Sequence, residues 1–139
     1  MRSAMRSVSV GLALGLVLGC GPGSPAPARP ASAAERLYLA TCAACHRPDG
    51  SGVAGVQPPL AGTPVTTGDP DELLGWVMYG RRPAGLPRGG YGGIMPQFSY
   101  LSDEDLATLL THVRSSFGNH ATPVTPAMVA AARARHRAT

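Results

Sequence analysis

The chain has 139 residues, of which only 5% are aromatic, while glycines number 18 and prolines 14. Side-chain burial alone is thin support for one small domain, so a cofactor, a metal or a partner is expected to complete its core. Three cysteines exclude a multi-bridge disulfide framework. The formal charge is +4, yet residues 32–118 hold six arginines against all eight acidic residues, a net −2. The basic character belongs to the chain ends, which argues against a nucleic-acid-binding domain.

Arg2 and Arg6 precede an apolar run from Val8 to Gly19 that ends at Cys20. This is the layout of an export signal over residues 1–19, and the run is shorter than the roughly 20 residues a spanning helix requires. Val17-Leu18-Gly19-Cys20 resembles a bacterial lipobox, so cleavage before Cys20 and acylation of that cysteine are expected. Ala31-Ser32-Ala33 is the alternative cleavage site, poorly placed because it lies well beyond the apolar run. Residues 20–31 then form a lipid-anchor site and a proline-rich tether with a reach of about 30 Å in polyproline II. The expected location is the periplasmic face of a bacterial membrane, with a soluble periplasmic form as the alternative.

Ser32 with Glu35 reads as a capping box opening a helix that runs through Thr41 into Cys42-Ala43-Ala44-Cys45-His46. C-x-x-C-H is the attachment sequence for c-type haem. Residues three apart share one face of a helical turn, so both thiols reach the vinyl groups on one side of a porphyrin. His46, next in line, is the expected proximal iron ligand. A zinc half-site wants a second Cys/His pair, and a thioredoxin-like redox pair wants a βαβ context; the domain offers neither.

Residues 47–68 read as a long loop. Gly50, Gly52 and Gly55 match a dinucleotide-binding pattern by letter only, since no strand precedes them and Pro58-Pro59 follows. Asp69-Pro70 caps a second helix whose apolar positions Leu73, Leu74, Val77 and Met78 end at Gly80. In the second long loop, 80–100, Met95 stands between a glycine-rich stretch and Pro96. There the backbone can approach a planar cofactor, which makes Met95 the expected second axial ligand. Met78 reads as core, and Met5 and Met128 fall in the signal and the tail. Arg81, Arg82 or Arg88 is a candidate partner for a haem propionate, although a solvated face suits each one better, and Trp76 reads as packing.

Ser102 with Asp105, a Leu101–Leu106 staple and the stripe Leu106, Leu109, Leu110, Val113 and Phe117 define a third helix stopped at Gly118. His112 falls between those apolar positions and reads as solvent-facing. The tail, 119–139, has a helix start at Pro126 and three arginines that invite contact with acidic lipid or an acidic partner, but it reads as a frayed, solvated end. With no strand-length alternation, the class is all-α, three to four helices and long loops around one haem.

Over residues 32–118 the chain resembles the class I c-type cytochromes. The resemblance rests on Cys42-Ala-Ala-Cys45-His46, on Met95-Pro96, and on the block from Leu101 to Gly118, whose wording is similar to small bacterial monohaem cytochromes. It implies one covalent haem c held by Cys42 and Cys45, with His46 and Met95 as axial ligands. It also implies a Pro58 or Pro59 carbonyl that accepts from the His46 ring, and Tyr38 at the crossing of the first and last helices. Ala34 stands where the family usually has glycine, which suggests a slightly wider crossing. The implied function is one-electron transfer without enzymatic turnover. A dehydrogenase or a quinol–cytochrome c reductase would be the donor, and a terminal oxidase or reductase the acceptor. The alternatives are a relay subunit of a larger dehydrogenase, oxidase or nitrite reductase complex, and a haem enzyme or gas sensor with a displaceable Met95.

Overall fold

The computed structural model describes residue 29, residues 31–83, residue 86 and residues 90–138. Cys20, Arg88 and the expected signal segment therefore lie outside the described residues. Six helices occur within them: α1 (Ala33–Thr41), α2 (Ala43–His46), α3 (Pro64–Thr67), α4 (Pro70–Tyr79), α5 (Asp103–Ser115) and α6 (Pro126–Arg137). The β pairing among the described residues is a single antiparallel bridge, Val53 with Gln57. The class is all-α, as expected, with more helices than the expected three to four.

Local chemistry sets the helix ends. Ser32 accepts from the Glu35 N–H at 3.1 Å, Asp69 from the Asp71 N–H at 2.8 Å, and Ser102 from the Asp105 N–H at 3.0 Å. Gly80 ends α4 in the left-handed conformation, φ +67°. The loop read over 47–68 contains a short helix of its own, α3, capped by Thr63 with Pro64 in its first turn. At the far end of α5, Phe117 is not helical. The helix stops at Ser115, and Phe117 takes φ +58°, turning its ring against Gly50 and Tyr38.

Helix α5 is the hub. Leu106 and Leu110 face a core shared with Leu73, Leu74, Val77 and Met78 of α4 and Val129 and Ala132 of α6. Leu109 and Val113 face a second core with Tyr38 of α1 and Ala43 of α2. Two buried polar side chains tie the loops to this hub. The Arg114 guanidinium, 1% exposed, donates to the carbonyls of Thr66, Gly68 and Thr122 at 3.0, 3.0 and 2.6 Å. Asn119 donates to the Leu60 and Val113 carbonyls and accepts from the Gly62 N–H at 2.7 Å.

The tail departs from the expectation of a frayed end. Val124 and Thr111 exchange two hydrogen bonds of 3.0 Å, which returns the chain along α5. Helix α6 then docks, with Val129 and Ala132 fully buried and Met128 packed on the same core. Two of its arginines pair with this protein's own acids, Arg133 with Asp103 at 2.7 Å and Arg135 with Asp71 at 2.8 Å. His136 stacks on Tyr79 of α4, ring centroids 3.7 Å apart.

His112 also departs from its expected solvent-facing position. It is half-buried, 5.5 Å from the Tyr38 ring and 5.9 Å from Phe117, with Nδ1 bonded to the Ser116 hydroxyl. Burial holds its pKa below the ordinary 6.5, outweighing the raising effect of Glu35. The unfolded chain therefore takes up the proton first on acidification. Stability from the neutral imidazole is complete above pH 6.5 and is lost as pH falls through the folded value. Replacing His112 by Phe should flatten the fall in melting temperature between neutral and mildly acidic pH. An unchanged pH profile would assign the loss to other groups. Val129→Ala should cost about 2 kcal/mol in denaturant unfolding through lost burial and a residual cavity, whereas a frayed tail would make that substitution silent.

Candidate functional site

The first wall of the site is built where α1 gives way to α2. Cys42 keeps an N–H bond to the Tyr38 carbonyl but drifts to φ −112°, and its own carbonyl accepts from the Cys45 and His46 N–H groups. The two helices thus run on as a nearly continuous ramp that presents Cys42, Cys45 and His46 in turn. Both thiols are unpaired and half-buried, and burial pushes the Cys42 thiol above its ordinary pKa.

After His46 the chain must reverse. Arg47 takes φ +64°, and its carbonyl accepts from the buried Tyr38 hydroxyl at 2.6 Å. Burial pushes the Tyr38 pKa up to about 12, so this hydroxyl keeps its proton and its bond at any working pH. Gly52 donates to the His46 carbonyl at 3.0 Å, and Leu60 to the Gly50 carbonyl at 2.8 Å. The glycines that matched a dinucleotide motif by letter therefore form the turn that folds Pro58 back over His46. A Cβ on Gly52 would come within 2.5 Å of the Gln57 and Pro58 carbonyl oxygens, at a φ of +66° that already disfavours one.

The result is a bond of 2.9 Å between His46 Nδ1 and the Pro58 carbonyl. A carbonyl oxygen only accepts, so Nδ1 carries the proton and Nε2 keeps a lone pair. Of the two prolines, Pro58 is the one that supplies the acceptor.

The second wall is the 90–98 segment. Gly93 donates to the Val56 carbonyl at 3.1 Å and Phe98 to the Val77 carbonyl at 3.0 Å, fixing the loop on either side of Met95. One cavity is lined by Cys42, Cys45, His46, Gln57, Met95 and Phe98, so the four residues expected to hold a cofactor all border the same space. Among the described residues, no three His, Cys, Asp or Glu side chains converge as a metal cluster would require. Arg81 packs against Gly75 and Arg82 lies over the Trp76 ring at 5.6 Å, both away from the cavity lining.

A family model for cytochrome c matches residues 31–117. The chain belongs to the cytochrome c family. Over 89 residues it is 34% identical to cytochrome c-552 of Thermus thermophilus, covering 60% of this chain and 67% of that protein. It is 38% identical over 92 residues to the cytochrome c subunit of alcohol dehydrogenase (quinone) from Gluconobacter oxydans (strain 621H), covering 65% of this chain and 19% of that subunit. The gluconate 2-dehydrogenase cytochrome c subunit of Pantoea cypripedii is 35% identical over 88 residues, 61% of this chain and 20% of its own length. The chain thus spans about a fifth of the length of the dehydrogenase subunits it matches.

Membership implies a covalently bound haem c. The residues of this cytochrome fit that group: two unpaired thiols three residues apart on one helical ramp, an imidazole with Nε2 free, and a thioether bordering the same space. Sequence reasoning missed Arg114 and Asn119, whose bonds to loop carbonyls have no local signature. Gly52→Ala should destabilise the holoprotein by about 2 kcal/mol and, by displacing Pro58, shift the reduction potential. An unchanged potential would show that the turn does not govern the imidazole.

Proposed function

We propose that this cytochrome carries single electrons through a haem c attached to Cys42 and Cys45, with His46 and Met95 as axial ligands. The observation that supports it best is the shared cavity of those four residues, with the His46 ring fixed by Pro58. When bound, the haem supplies an iron that alternates between Fe(III) and Fe(II). The chain's own residues orient and tune it. The Nδ1–H to carbonyl bond makes Nε2 a stronger donor and favours the oxidised state, while a soft thioether favours the reduced one. Phe98, Pro96 and Ile94 line that side of the cavity with apolar surface.

Residues 50–62 and 90–101, which include much of the cavity lining, contain no acidic residue, arginine or histidine. Val53, Val56 and Ile94 are exposed there, Ile94 at 91%. A redox partner would meet an uncharged apolar rim through a small interface suited to fast release. The likeness to dehydrogenase cytochrome subunits favours a dehydrogenase as electron donor, either to a free shuttle or within a relay complex. Co-purification with such an enzyme would select the relay. Export and acylation of Cys20 complete the reading and place the carrier on the periplasmic face of a membrane. No described helix is long and apolar enough to cross one. Intact mass after membrane extraction tests the anchor, since acyl chains should appear on Cys20.

Met95→Ala should abolish the weak long-wavelength sulfur-to-iron absorption of the oxidised protein, lower its reduction potential and open the iron to carbon monoxide. Retention of that band in the variant would remove Met95 from the iron. Ready carbon monoxide binding by the unaltered protein would favour the enzyme or gas-sensor alternative.

A further inference from the structure

Helix α6 lies beyond the residues that match the family, 31–117, yet it reaches the segment that follows the methionine loop. Arg133 is the contact. Its Nε donates to the Asp103 carboxylate at 2.7 Å and one terminal nitrogen to the Ser99 carbonyl at 2.6 Å, while the other terminal nitrogen donates to the Leu101 carbonyl. The side chain is only 21% exposed. A planar guanidinium thus grips both carbonyls of the turn and the first residue of α5 at once, a fork that lysine cannot reproduce.

Three residues separate Met95 from Ser99, and among them Phe98 is tied to α4 through the Val77 carbonyl. On the other side, among the described residues, the glycine-rich stretch is held by one backbone bond, from the Gly93 N–H to the Val56 carbonyl. Stiffness in the loop must therefore come largely from its C-terminal anchor. Of the charged groups on the elements around that anchor, Asp103 pairs with Arg133, and Asp71 with Arg135 two residues further along α6.

On the reading that Met95 binds the iron, we infer that Arg133 is a positioning residue that latches the methionine loop closed, α6 being the strap that delivers it. Loss of the latch increases the fraction of time in which the loop is open and Met95 is off the iron. An external ligand binds only that open form, so its apparent affinity rises in proportion to the open population.

The test is an imidazole titration of the oxidised holoprotein, followed by loss of the sulfur-to-iron absorption band. Arg133→Ala should bind imidazole about tenfold more tightly, the least expected from losing one hydrogen bond to a charged group. Arg133→Lys should fall between it and the unaltered protein, and this variant decides the matter if Arg133→Ala does not fold. Ser32→Ala, which removes the cap of α1 and alters neither the turn nor the cavity lining, supplies a comparison of lowered global stability. It should leave imidazole affinity unchanged. The latch is overturned if the Arg133 variants bind imidazole no more tightly than Ser32→Ala does. Absence of the absorption band from the unaltered protein would overturn the methionine assignment and the latch together, so the two failures are distinguishable.

Discussion

The hydrogen bond from His46 Nδ1 to the Pro58 carbonyl requires a particular path for the eleven residues between them. That path cannot be an ordinary loop. It begins with Arg47 in a left-handed conformation whose carbonyl is held by Tyr38, passes Gly50 beneath the Phe117 ring and crosses Gly52 against the very carbonyl that His46 uses. Tyr38 comes from α1, Phe117 from the end of α5, and the glycines from the turn itself. A change in any of them moves the acceptor, and through it the imidazole tautomer that leaves Nε2 available. The packing of α1 on α5 therefore serves the chemistry directly. Ala34, where the resemblance led to an expectation of glycine, leaves Tyr38 buried against Leu109 and Val113.

Away from the imidazole, long connections are held by side chains that reach backbone carbonyls. Arg114 gathers the 66–68 stretch and Thr122 on one guanidinium, and Asn119 joins the 60–62 stretch to the last turn of α5. Both are almost fully buried, and each polar group is matched with a partner. Burying a cation is tolerable because three carbonyls and a hydroxyl replace its water. Sheet structure would satisfy such carbonyls in a repeating ladder. With a single isolated bridge among the described residues, two side chains perform that task at chosen points.

Legibility in the sequence follows the range of the interaction. Helix starts at Ser32, Asp69 and Ser102 were readable because a cap bonds within its own turn. That Cys42, Cys45, His46 and Met95 border one space was readable because attachment chemistry constrains the first three within five consecutive positions, and because Met95 sits in an unusual local context. Phe117 misled, since it lies four residues beyond Val113 and continues the helical stripe on paper. Its ring is needed over Gly50, and that contact outweighs helical propensity at a helix end. The tail misled more broadly. Arg133, Arg135 and His136 look like a solvated basic cluster until Asp103, Asp71 and Tyr79 are brought beside them, and those partners lie thirty or more residues away in sequence.

Charge placement links the last two observations to the site. Seven of the eight acids stand at helix starts: Glu35 in α1, Asp69, Asp71 and Glu72 at α4, and Asp103, Glu104 and Asp105 in α5. There they face the positive ends of helix dipoles and are stabilising. Two of them also recruit the arginines of α6, which neutralises the basic tail internally. The rim around the cavity, drawn from residues 50–62 and 90–101, is left without acidic or basic side chains. A net charge summed over the chain therefore says little about how a partner is met. Long-range steering scales with the field at the contact face, and on the proposed reading that this rim is the contact face, its side chains there are uncharged and partly apolar. Encounter on that reading depends on short-range burial, which favours a partner whose own rim is equally uncharged and a complex that tolerates salt.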